Sequence, residues 1–145
     1  MFREELVSKL EEVALAMRKA RTRVFKASGL HSGQVRVLSV LIEYGDLSQA
    51  DIGRLLDISG PTVKKLIENL VDDGLVSLSL SKKDKRINVV SLTGPGRKKE
   101  PIIKKCNAEI GAAASAGMSE PEIIMTGLLL GRLSENLKEH SEEII

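Results

Sequence analysis

With 145 residues, 42% of them apolar, and a formal net charge of +2, the chain fits one compact domain or a small domain with helical extensions. One cysteine, Cys106, excludes an intrachain disulfide and a cysteine-based cluster, and His31 and His140 stand too far apart to indicate a catalytic or metal site, so no metal and no cofactor is expected. Charged residues break every apolar run before the ~20 residues a bilayer span needs, and the N-terminus has no secretory pattern, so the expectation is a cytoplasmic protein without a membrane partner.

Residues 2–27 place Leu6, Leu10, Val13, Met17, Ala20 and Val24 every three or four positions, the period of a long amphipathic helix. Arg18, Lys19, Arg21, Arg23 and Lys26 crowd its second half, a pattern that fits a DNA backbone contact but fits a solvated face better. Gly29 ends this helix. Ser32 is the expected N-cap of the next, with Val35, Leu38, Leu41 and Ile42 as its buried side and Gly45 as its stop; Arg36 is a lone charge on it with no evident role. Ser48 then caps a short helix, with Asp51 three residues on and Ile52, Leu55 and Leu56 facing inward. Ala50 and Gly53 are small where two helices must cross. Asp57-Ile58-Ser59 forms a turn.

A second short helix follows, N-capped by Ser59 and stopped by Gly74, with Val63, Leu66, Ile67 and Leu70 inward and Thr62, Lys64 and Lys65 outward. Helix, three-residue turn and helix is the spacing of a helix-turn-helix. Gly60 and Pro61 keep the first turn narrow, and the free N–H groups there favour a phosphate. Val76–Leu80 alternates apolar and polar residues as a half-buried strand, and 87–92 is its β-branched return partner. The connecting tip holds Lys82, Lys83, Lys85 and Arg86 with one carboxylate, Asp84, which can hold Arg86 through a bidentate pair. Residues 59–99 carry nine Lys/Arg against four Asp/Glu, whereas 100–145 carry four against eight, so positive charge collects on this helix and hairpin. With only Phe2, Phe25 and Tyr44 as aromatics, stacking on single strands is disfavoured and double-stranded DNA is the expected partner.

Thr93 caps a further helix running through Ile102, Ile103, Cys106 and Ile110, with Pro101 as a kink or as the start of a longer segment. Cys106 lies among isoleucines and reads as an inert, buried thiol. Ser119-Glu120-Pro121-Glu122 is a capping box opening a last helix with Ile123, Ile124, Leu128, Leu129, Leu130, Leu133 and Leu137 on its apolar stripe. So much apolar surface at both chain ends is expected to be buried against a second copy, with Leu6, Leu10, Val13, Ile123, Leu130, Leu133 and Leu137 in the seam.

Ser48-Gln49-Ala50-Asp51-Ile52 through Leu56, Ser59-Gly60-Pro61-Thr62-Val63, Leu70 to Val76, Asp84-Lys85-Arg86, and Leu92-Thr93 followed by Gly96-Arg97 together resemble the MarR family of transcriptional regulators. The match runs in order from about residue 30 to 97. The expected fold is mainly α with a small β-hairpin wing: a winged helix-turn-helix lobe over 30–97, flanked by a helical dimerisation region formed by 1–29 and 98–145. The resemblance implies a homodimer on a pseudo-palindromic operator, with residues 59–65 in the major groove and Arg86 in the minor groove. On this reading the chain is no enzyme but a regulator, a repressor relieved by a small-molecule effector. Gly60 stands where many members have a polar side chain, and Leu78 and Ser79 where many have arginine. The competing expectation, a winged-helix protein-interaction or architectural module without base readout, draws on those departures.

Overall fold

The computed structural model describes residues 1–144, which fall into two compact units that divide after Ile110. The first unit opens with α1 (Phe2–Ala27) and α2 (Ser32–Tyr44), followed by β1 (Leu47–Ser48), α3 (Gln49–Leu56) and α4 (Gly60–Asp72). Then come β2 (Val76–Leu80), β3 (Asn88–Leu92), the single turn α5 (Gly94–Arg97) and α6 (Glu100–Ala114), whose residues to Ile110 belong to this unit. The second unit carries α7 (Glu120–Ile144). The expectation of a mainly helical chain with a small β element holds.

Apolar periodicity converts into one core. Phe25, Val35, Val37, Leu38, Ile52, Val63, Ile67, Leu70 and Val90 are completely or almost completely buried, and Ile103, Cys106 and Ile110 of α6 join them. Cys106 Sγ lies 3.3 Å from Ser28 Oγ. The anchor of α1 is Phe25, one position beyond the Val24 that closes the apolar stripe read from periodicity; Leu6 and Val13 remain exposed and Leu10 half-buried.

Several local expectations need correction. The N-cap of α2 is His31, in extended conformation and without a side-chain cap bond, so Ser32 is the first helical residue. Leu55 is 47% exposed and does not face inward. Gly53 does sit at a helix crossing, where a Cβ would lie 3.3 Å from Val63 Cγ2, but Ala50 is exposed. The hairpin is part of a three-stranded antiparallel sheet of order β1-β3-β2, because Leu47 and Ser48 pair with Val90 and Val89. In β2 only Val76 is buried; Leu78 and Leu80 are 41% and 58% exposed because the strand runs outward beyond the core. Thr93 caps only α5, its Oγ1 accepting from Gly96 N at 3.1 Å, and a new helix starts at Glu100 with Pro101 in its first turn.

Caps define the remaining ends. Ser48 Oγ accepts from Asp51 N at 3.1 Å, while the Asp51 carboxylate pairs with Arg54 instead of returning to Ser48. At α7 the capping box is reciprocal: Ser119 N donates to Glu122 Oε1 at 2.8 Å and Glu122 N donates to Ser119 Oγ at 3.3 Å. Hydrogen bonding to Ser119, through its backbone first and its side chain second, holds the Glu122 carboxyl below its ordinary range.

Candidate nucleic-acid interface

The turn between α3 and α4 is tight. Asp57 adopts the left-handed conformation at φ 52°, and Ile58 N returns to Gly53 O at 3.1 Å. Ser59 then caps α4: its Oγ accepts from Thr62 N at 3.4 Å and lies 2.9 Å from Thr62 Oγ1. Gly60 and Pro61 form the exposed first turn, where a Cβ on Gly60 would meet nothing. Burial of Val63, Ile67 and Leu70 turns the opposite side of α4 to solvent. That outward side is centred on Pro61, Lys65 and Glu68, with Asn69 beside them and Thr62 and Lys64 on its two flanks. The sequence reading missed Glu68 and Asn69; helical phase from the three buried residues is the signal that finds them.

The wing is built by its own turn. β2 and β3 pair from Val76 with Leu92 out to Leu80 with Asn88, and Ser81 N closes the tip on Ile87 O at 2.8 Å. Inside the tip, Ser81 Oγ accepts from Lys83 N at 3.2 Å and Asp84 N at 3.3 Å. Asp84 Oδ1 accepts from the Arg86 backbone N–H at 3.0 Å and from Nε at 3.1 Å, and Oδ2 accepts from a terminal guanidinium nitrogen at 3.2 Å. The Arg86 side chain is thereby oriented while 90% exposed. Its guanidinium, and secondarily its backbone N–H, hold the Asp84 carboxyl below the ordinary aspartate range. Lys82, Lys83 and Lys85 of the same tip are all exposed.

Two grooves flank this surface. One of about 580 Å³ lies between α3 and α4, lined by Gln49, Ala50, Arg54, Ile58 and Gly60 among others. A larger one, about 910 Å³, separates the start of α3 from the wing and is lined by Ser48, Gln49, Arg54, Lys83 and Arg86 together with Asp46 and Asp51. The wing base is fixed to the end of α4: Thr93 Oγ1 donates to Gly74 O at 2.6 Å and Thr93 N to Leu75 O at 3.1 Å.

The structure thus places Ser59, Gly60, Pro61, Thr62, Lys64 and Lys65 at the exposed start of α4, and Lys82, Lys83, Asp84, Lys85 and Arg86 on the wing tip. Among the residues expected in a seam, Leu6, Val13, Ile123, Leu130 and Leu137 are exposed and Leu10 and Leu133 half-buried. Among the described residues no helix is long and apolar enough to cross a membrane.

Known proteins resemble the chain at the level of family and fold. The model of the MarR family matches residues 28–87. The uncharacterised HTH-type transcriptional regulator YwoH of Bacillus subtilis is 31% identical over 94 residues, covering 65% of this chain and 68% of the relative. The HTH-type transcriptional repressor YetL of the same organism is 27% identical over 136 residues, covering 92% and 81%. Among solved structures, Bordetella bronchiseptica BpsR, whose DNA binding is regulated by 6-hydroxynicotinic acid, superposes with a TM-score of 0.79 at 25% identity, covering 92% of this chain and 96% of that one. The chain belongs to the MarR family of helix-turn-helix transcriptional regulators.

Proposed function

We propose that the protein is a homodimeric repressor that binds a pseudo-palindromic double-stranded operator in the cytoplasm. The observation that carries this reading is the pairing of two exposed basic elements, the outward face of α4 with Lys64 and Lys65 and a wing tip in which Asp84 orients Arg86. A helix with this polar face fits the major groove, and an oriented guanidinium fits the narrow, negative minor groove. Ser59, Gly60, Pro61 and Thr62 bring backbone and hydroxyl groups to the same edge, and Lys82, Lys83 and Lys85 contact phosphates. Thr62 shares its hydroxyl with Ser59, so base readout falls mainly to Lys65 and Asn69.

A second copy covers the apolar residues that a single chain leaves open on α1 and α7, among them Leu6, Val13, Leu130 and Leu137. The ligand control of BpsR supports an effector that releases the protein from DNA. Regulators of this fold perform no chemistry on the DNA they hold, and the protein is no enzyme.

Fluorescence anisotropy on an operator selected from bound genomic fragments tests the reading. Affinity should fall steeply with salt, Lys83→Ala should lower the slope of log K against log salt by about 1, and Lys65→Ala should weaken operator binding by about 1–3 kcal/mol and relax base preference. Binding indifferent to salt and to both substitutions would refute it. A partner protein retained without any DNA preference would favour the interaction-module alternative, which the bare Gly60 and the exposed Leu78 motivate.

A further inference from the structure

Arg36 has no carboxylate partner among the described residues, and it does not simply point to solvent. Its terminal nitrogen donates to the backbone carbonyl of Leu56 at 2.8 Å, across 20 residues of sequence. Leu56 is the last residue of α3, so its carbonyl is one of the four left without an intrahelical partner, at the negative end of the helix dipole. A guanidinium there satisfies the acceptor and complements the dipole together. On its other side Arg36 lines a cleft with Arg18, Arg21 and Thr22 of α1 and with Ser32.

The residue that follows makes this bond consequential. Asp57 is the one non-glycine residue with positive φ among those described, a conformation that costs an L-residue roughly 1 kcal/mol and persists only where its surroundings enforce it. Asp57 and Ile58 are the turn that sets the angle between α3 and α4. A second tie from α2 reaches the far end of α4: Gln34, 7% exposed, donates from Nε2 to Oδ2 of the C-cap Asp73 at 2.7 Å. Helix α2 therefore grips each helix of the motif at its C-terminal end.

The geometry points to Arg36 as a positioning residue for operator recognition, which fixes the α3–α4 turn and so aims α4 without touching DNA. This role rests on the DNA-binding reading. Arg36→Met keeps the apolar stem and removes the donor; Arg36→Lys keeps one donor within reach. With both variants verified as folded, removing this one bond should weaken binding to the selected operator about 5- to 10-fold, with Arg36→Lys recovering most of the deficit. Binding to an unrelated duplex should not change, and the salt slope should stay at the wild-type value, because every phosphate interaction remains in place. In the DNA-free protein, amide exchange at Asp57 and Ile58 should accelerate in Arg36→Met alone. A salt slope reduced by about 1 with equal weakening on both duplexes would make Arg36 a phosphate-binding residue and overturn the proposal. Unchanged affinity and unchanged exchange would overturn it too. A wild-type protein without operator preference would instead refute the DNA-binding reading itself, and with it this role, while the exchange measurement would still report whether Arg36 holds the turn.

Discussion

Gly96 offers the sharpest test of how the wing is anchored. A Cβ built on it would lie 2.0 Å from the Leu75 carbonyl oxygen and 3.0 Å from the Leu75 carbonyl carbon, both backbone atoms. Relief requires α5 and the α4–β2 turn to separate by about 1 Å or more, since a comfortable carbon contact is ~3.5 Å. That movement pulls on three bonds at one place: Thr93 N to Leu75 O at 3.1 Å, Thr93 Oγ1 to Gly74 O at 2.6 Å, and Gly96 N to Thr93 Oγ1 at 3.1 Å. Overpacking of this kind costs ~1–3 kcal/mol and a weakened bond ~0.5–1.5 kcal/mol, offset by up to ~1 kcal/mol from replacing glycine in a helix. Gly96→Ala should therefore destabilise by about 2–3 kcal/mol. Gly94→Ala, in the same turn but with nothing within 4 Å, is the control and should be neutral or slightly stabilising. Urea unfolding at one fixed protomer concentration reads both. A Gly96→Ala midpoint indistinguishable from that of Gly94→Ala would refute the reasoning.

Other consequences follow from the caps and the wing tip. The Asp84 carboxyl should titrate below the ordinary aspartate range in a side-chain NMR titration, and Arg86→Ala should bring it back up, since the guanidinium is its first cause. The sign is that of a depressed acid: the Asp84–Arg86 pairing is complete above the unfolded carboxyl value and is lost as pH falls through the lower folded value, so it is intact at neutral pH. Ser119→Ala removes the N-cap of α7 and should cost ~1 kcal/mol in chemical denaturation. The same substitution should partly raise the depressed Glu122 carboxyl by removing the Ser119 hydroxyl, while the backbone bond from Ser119 N keeps the remainder of the shift. Gly60→Ala should leave the fold unharmed or stabilise it by under ~1 kcal/mol. A parallel drop in operator affinity in that variant would show that DNA needs the bare first turn.

What could be read from the sequence followed the range of each interaction. Ser59, Gly74 and the Ser119 capping box act within four residues, and their helices begin and end where local chemistry says. The apolar period marked Val63, Ile67 and Leu70 as the inward side of α4, although the outward Glu68 and Asn69 needed the helical phase that burial reveals. Strand β1 was hidden because it is two residues long and exists only through pairing with the distant Val89 and Val90. The Ser48 cap supplied the stronger local signal there. Leu78 and Leu80 follow the alternation of a half-buried strand, yet no core extends as far as the wing to cover them. Arg36 looked idle for a related reason: its acceptor is a backbone carbonyl, a partner that side-chain patterns do not encode.

The central claim is tested most directly by selecting genomic fragments bound by the purified protein and footprinting the enriched site. The expected footprint has two symmetric half-sites with centres about one helical turn apart, ~34–36 Å, each protected at one major groove. Each should also show protection of the adjoining minor groove that disappears with Arg86→Ala. Fragments without a shared sequence, or protection confined to a single half-site, would contradict a dimer that reads DNA through α4 and the wing.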